Sequence, residues 1–266
     1  MKLSTLAAHL LLATTATLAS PLSDYKQAAM DAFRAKRSLR RSQSSRASFK
    51  NTGGFADGSS NNWSGVAILQ SGVTEVSGTI TVPVPKLPPG GDPNAAYCGV
   101  AWVGIDGWFN GDLIQTGVLW CISENQASYN PWYEYLPGAI TFFNEVTISG
   151  GSVVTVTATK TGNNSGITTL TVDGTTVSHT FSGESFSLPG SSAEWIVEDY
   201  TLNIDEPGLV PFADFGNVTF TDASAVVNGD TITPAEGSWL IIDMVQNGTA
   251  LTSTTLFGNK LIVDYI

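Results

Sequence analysis

The sequence predicts an all-β protein, a large antiparallel two-sheet sandwich or jelly roll, preceded by a chemically distinct N-terminal region. Short runs of alternating apolar and polar residues recur from Trp63 to the C-terminus, and no amphipathic helix competes with them there. Asp173-Gly174 and Asn247-Gly248 stand between or beside such runs, the pairs best suited to two-residue hairpins. Of 266 residues, 42% are hydrophobic and only 13% charged, which excludes a disordered chain and fits one large domain with a real core.

The alternating segments run in order Trp63 to Leu69, Val76 to Val82, Ala101 to Ile105, Leu113 to Ile122, Ser128 to Leu136, Ile140 to Ile148 and Val153 to Thr159. Ile167 to Val172 and Thr176 to Phe181 flank the Asp173-Gly174 turn, and Leu240 to Val245 precedes Asn247-Gly248. A dozen or more strands in roughly 210 residues, without a repeat of 20 to 50 residues, favour a sandwich over a propeller. A bent sheet of that size offers a concave groove in which an extended polymer would lie.

Charge divides the chain. Residues 1–50 hold nine basic side chains against two acidic ones, a net of +7, whereas from Asn51 onward three lysines face 21 carboxylates, a net of −18. An acidic body argues against nucleic acid as a partner. Residues 1–19 read as a secretory signal peptide, with Lys2, an apolar run over Leu6 to Leu12 and Thr17-Leu18-Ala19 before the cut, and no later segment is apolar enough to span a membrane. A secreted, extracellular protein is expected. Residues 20–55 read as a basic propeptide, with a helix capped by Ser23 and running to about Arg41, held against the acidic body at neutral pH and released as carboxylates protonate. The alternative is a solvated basic tail without inhibitory function. Residues 56–266 form the folded domain. Its two cysteines, Cys98 and Cys121, are expected to form one structural disulfide in an oxidising compartment, since neither C-x-x-C spacing nor histidine partners favour a redox or metal site.

Inventory removes several catalytic classes. His179, in an alternating strand, is the one histidine beyond the leader, so zinc hydrolysis lacks ligands, and no G-x-S-x-G elbow or D-T-G or D-S-G loop occurs. Carboxylates and amides remain. Gln115 points away from Ile114, Thr116 and Val118; Glu194, Ile196, Glu198 and Tyr200 share a face; Trp132, Glu134 and Leu136 share another; and Trp102 shares a face with Asp106 across Gly104. For any one of these carboxylates the ordinary alternative is a solvated sheet face.

The segments Asn62-Trp63-Ser64-Gly65, Trp102-Val103-Gly104-Ile105-Asp106-Gly107, Ile114-Gln115-Thr116-Gly117-Val118, Trp132-Tyr133-Glu134 and Ala193-Glu194-Trp195-Ile196-Val197-Glu198-Asp199, with Leu209 to Gly216, resemble the signature segments of the fungal glutamic peptidases, the eqolisins. The resemblance runs in order from about Asn61 to Ile266. It implies an acid endopeptidase, made with a leader and a basic propeptide, on a concanavalin-like β-sandwich. A Gln and a Glu form the catalytic pair, carried over to Gln115 and Glu198, with Glu194 as the near alternative. It also implies that Trp63, Trp102, Trp132 and Glu134 line the substrate groove with Asp106 in support, where the plainer reading is core aromatics and surface carboxylates. The chain departs from the family at Trp108-Phe109-Asn110-Gly111 and Ser185-Phe186-Ser187-Leu188, where both cysteines of one disulfide are missing together and Cys98–Cys121 is the bridge retained. Leu119, Asn130 and Leu136 replace an Asp, an Asp and a Tyr, changes that bear on subsite preference and acid optimum.

The chemistry can be argued without the resemblance. Peptide hydrolysis needs a base for water, a donor for the oxyanion and an acid for the leaving nitrogen. A glutamate can be base and then acid, while a glutamine binds the same water and donates its NH2 to the oxyanion. A neutral amide does not raise the glutamate's pKa by repulsion, so the base is expected near its ordinary value of about 4.3. The substrates expected are proteins or peptides and the inhibitor is the propeptide; a monomer is expected, with no nucleic acid, no membrane, no metal and no organic cofactor. Two other readings share the fold: a retaining glycoside hydrolase using Glu134 and Glu198 about 5 to 5.5 Å apart, and a glycan-binding lectin. Asn62, Asn163, Asn217 and Asn247 head N-glycosylation sequons.

Overall fold

The computed structural model describes residues 48–52, 55–109, 111–200 and 208–266, so the expected leader and the Ser23–Arg41 helix lie outside the described residues. The described residues form eighteen strands and no helix. One sheet runs in the order β1 (Ser48–Thr52), β2 (Phe55–Ser60), β15 (Trp239–Gln246), β3 (Trp63–Ile68), β12 (Ala193–Glu198), β5 (Tyr97–Asp106), β6 (Leu113–Ser123), β7 (Gln126–Tyr135) and β8 (Thr141–Phe142), with β16 (Thr249–Ala250) on β15. The other runs β11 (Thr175–Phe181), β10 (Ser165–Val172), β9 (Val153–Gly162), β4 (Val73–Thr81), β13 (Asn217–Val227), β18 (Lys260–Tyr265) and β17 (Thr252–Phe257), with β14 (Asp230–Ile232) on β13. Every named pairing is antiparallel except β15 with β2. The expected two-sheet, antiparallel-rich architecture is the one observed.

Turn chemistry explains the hairpins. Asp173 and Gly174 have φ of 49° and 75°, and Asn247 and Gly248 have 51° and 80°, the left-handed pair that matches the twist of the flanking strands. The expected strand over Ile140 to Ile148 is shorter, confined to Thr141–Phe142. Phe143, Val146 and Ile148 are buried outside the strand; the Phe143 amide still donates to the Pro131 carbonyl of β7 at 3.0 Å, and the alternation beyond it reports burial, not a ladder.

Between the sheets lies the main core, with Val66, Val103, Ile114, Val118, Trp195 and Val197 from the first sheet against Val76, Ile80, Val156, Leu170 and Phe220 from the second. The Trp195 indole donates to the Ser77 carbonyl at 2.8 Å and ties the sheets together. The first sheet is apolar on its other face too: Trp63, Val100, Trp102, Leu113, Trp132 and Ile196 form a second buried cluster with Ile140, Tyr200 and Val210 from its connections. Every residue of β3, β5 and β12 is therefore buried.

Candidate active site

The polar side chains of interest stand in that second cluster, on the outer face of the first sheet. Their arrangement follows from register, because directly opposed residues of antiparallel strands point to the same face. Gly104 of β5 is opposed to Glu194 of β12 on one side and to Gln115 of β6 on the other, and Gln115 is opposed to Glu134 of β7. These four positions form one row across four strands. A neighbouring row holds Ile196, Trp102, Gly117, Trp132 and Phe142; the next holds Glu198, Val100, Leu119 and Asn130.

Gly104 is what lets the polar row close. A Cβ there would lie 2.8 Å from Leu113 Cδ1, 2.9 Å from Trp102 Cζ3 and 3.1 Å from the Ile114 carbonyl oxygen. With no side chain between them, Gln115 and Glu194 are separated by two strand spacings, roughly 10 Å between backbones, a gap two long side chains reach across. Glu198 is displaced four residues along β12, roughly 13 Å, from that row. Glu194 and Glu198 share the face of Gln115: register sets Glu194 in the same row, and Glu198 reaches the indole of Trp102, which stands in the row beside it. Glu134 and Glu198 lie three strands and two rows apart, too far for the carboxyl separation of a retaining glycosidase.

Gln115, Glu134 and Glu194 are fully buried and Glu198 nearly so. Gln115 Nε2 donates to Glu134 Oε2 at 2.5 Å. Gln115 Oε1 and both oxygens of Glu194 have no hydrogen-bond donor from the protein. Burial holds the Glu194 carboxyl well above the usual carboxylate range; the nearby Ser192 hydroxyl opposes the shift and Asp106 adds to it.

Asp106 plays a bracing part. Its backbone has φ of 70° at the end of β5. There it accepts from the Gly190 amide at 2.8 Å, the Ser191 amide at 2.7 Å and the Ser191 hydroxyl at 2.7 Å, pinning the segment that leads into β12 and Glu194. Burial raises its pKa against those bonds and against the charge of Lys160. Sequence reasoning missed this link; the signal was the Asp-Gly pair ending a strand, a common site of left-handed backbone.

Trp63, Trp102 and Trp132 are all fully buried on this face. Trp63 meets Trp102 edge-on at 5.1 Å, Trp108 tilts against Trp63 at 6.3 Å, and the Trp102 indole donates to Glu198 Oε2 at 2.9 Å. Glu198 therefore anchors the tryptophan cluster. Beyond it, Asp199 accepts from Gln246 Nε2 at 2.7 Å, and burial drives its pKa well up, opposed by that bond and reinforced by Glu198. Cys98 and Cys121 oppose each other in β5 and β6 and are joined. His179 stacks on Tyr133 at 4.3 Å on the far side of the sheet from Gln115. Among the described residues no cluster of His, Cys, Asp or Glu could hold a metal ion.

The fold is thus a β-sandwich that buries an amide and several carboxyls on one face of a sheet, among tryptophans. Residues 61–265 match the Peptidase A4 family, and the chain belongs to it. Its sequence is 36% identical over 290 aligned positions to aspergillopepsin-2 of Aspergillus niger, covering 100% of both chains. It is 33% identical over 213 positions to scytalidopepsin B of Scytalidium lignicola, covering 77% of this chain and 78% of that one. Its fold is similar to that of scytalido-glutamic peptidase bound to a transition-state analog inhibitor, with a TM-score of 0.69 and 33% identity over 77% of this chain and 98% of that one. The chain is a glutamic peptidase.

Proposed function

We propose that this peptidase is a secreted acid endopeptidase whose catalytic pair is Gln115 and Glu198. What supports the assignment is that both side chains are buried on one face, that Gln115 Oε1 has no protein donor, and that Glu198 Oε2 is held by the indole of Trp102, the residue opposed to Gly117 beside Gln115. A water donating to both is held for attack. Glu198 takes its proton, the second Nε2 hydrogen of Gln115 stabilises the oxyanion, and Glu198 returns the proton to the leaving nitrogen. The base must be ionised to act, so kcat/KM falls toward the acid end of the profile. Trp63, Trp102 and Trp132 bound the site, and an extended peptide lying across the sheet would contact them. The basic segment 20–55 acts as the inhibitory propeptide by opposing the acidic body, and residues 1–19 direct secretion.

The test is digestion of denatured casein between about pH 3 and pH 6 with pepstatin present, comparing Gln115→Ala, Glu194→Gln and Glu198→Gln. Pepstatin-insensitive cleavage abolished in Gln115→Ala and Glu198→Gln and retained in Glu194→Gln is expected. Full activity of Glu198→Gln beside a dead Glu194→Gln would move the catalytic role to Glu194.

A further inference from the structure

A carboxamide can be turned end for end about its terminal bond, and the two orientations offer opposite chemistry to whatever faces it. In a catalytic glutamine that choice decides whether the oxygen meets the water, so something must make it. On the Gln115 face the candidates are few, because Trp132, Leu136, Leu113 and Phe142 around the amide are apolar and buried.

Glu134 is the exception. It is the register partner of Gln115, it is fully buried, and its Oε2 accepts the Gln115 Nε2 at 2.5 Å. Only the NH2 end can donate to a carboxyl oxygen; the reversed amide would set a carbonyl oxygen against it. With Nε2 committed there, Oε1 takes the other branch, the atom that has no protein donor. We propose that Glu134 is the positioning residue of the active site, fixing the orientation of Gln115 so that its oxygen and one Nε2 hydrogen remain for water and oxyanion. This rests on the reading of Gln115 and Glu198 as the catalytic pair. It differs from the sequence expectation that Glu134 lines the groove for substrate, because a positioning residue acts through Gln115.

The test uses the purified full chain after acid incubation, with a quenched fluorescent peptide as substrate and Glu134→Gln and Glu134→Asp as variants. A glutamine at 134 accepts equally well from Gln115 or donates to it, so both orientations become populated. Glu134→Gln is expected to lower kcat by roughly 10- to 100-fold with KM changed less than about threefold, and Glu134→Asp to recover part of the loss. Side-chain amide NMR, with the Gln115 pair assigned by its absence in Gln115→Ala, should show a strongly shifted, slowly exchanging Nε2 proton that Glu134→Gln moves toward the free-amide position. Unchanged kcat with raised KM would make Glu134 a substrate contact and overturn the proposal. If neither variant folds, a solvent-like Gln115 amide in the unsubstituted protein overturns it equally. Gln115→Ala and Glu198→Gln run alongside: activity surviving in either removes the catalytic pair itself, whereas loss in both with full kcat in Glu134→Gln removes the positioning role alone.

Discussion

Replacing Asp199 by Asn should flatten the loss of stability as pH rises toward neutrality. Asp199 is 1% exposed, its Oδ2 accepts from Gln246, which also donates to the Asn61 carbonyl, and Oδ1 has no donor. Burial raises its pKa, with Glu198 adding to the effect. A carboxyl whose pKa is raised by folding binds more protons in the native state, so its stabilising contribution is complete below its unfolded pKa, about 3.9 for Asp, and is lost as pH climbs through the folded value. Between those two values one group gives a slope of about −1.4 kcal/mol per pH unit. Asp106, Glu194 and Asp199 share the direction, so just above the ordinary carboxylate range they act together at about −4 kcal/mol per pH unit. Asn cannot ionise, and Asp199→Asn should remove about 1.4 kcal/mol per pH unit of that slope while leaving stability near pH 3 similar. Urea unfolding from pH 3 to pH 7, analysed as two-state, measures it. Parallel lines for the two proteins would refute the reasoning, because they would mean that Asp199 ionises in the fold as easily as in water.

Gly104→Ala is expected to cost about 1 to 3 kcal/mol, because the Ile114 carbonyl at 3.1 Å is backbone and cannot swing aside, and to cut activity by shifting the strand beside Gln115; an unchanged urea midpoint and full activity would show that the sheet relaxes there. Replacing Cys98 and Cys121 together by Ser opens a bridge spanning 23 residues, for which chain entropy gives about 3 kcal/mol, read as a lower urea midpoint that reductant reproduces in the unsubstituted protein. Trp102→Phe removes the indole donor to Glu198 while keeping a ring beside Trp63; a loss of about 1.5 to 3 kcal/mol is expected, and stability unchanged by calorimetry would show that the bond contributes nothing.

Much of the architecture was legible in the chain. Alternation located most strands and put Gln115 on the face opposite Ile114 and Val118, which the structure divides between the site cluster and the inter-sheet core. Asp173-Gly174 and Asn247-Gly248 marked their turns because only left-handed backbone fits so tight a hairpin. The alternation over Ile140 to Ile148 misled, since burial of Phe143, Val146 and Ile148 needs no hydrogen-bonded neighbour.

Faces are a local property. Successive Cβ atoms alternate by the geometry of one strand, so the sequence alone determined that Glu194 and Glu198 look the same way and that Gln115 is an amide among apolar neighbours. Rows are not local. Four residues separate the two glutamates, an even number that parity cannot resolve. Only the long-range pairing of β12, β5, β6 and β7 decided that Glu194, Gly104, Gln115 and Glu134 fall in one row while Glu198 accepts from the Trp102 indole, because register is set by contacts between strands distant in the chain.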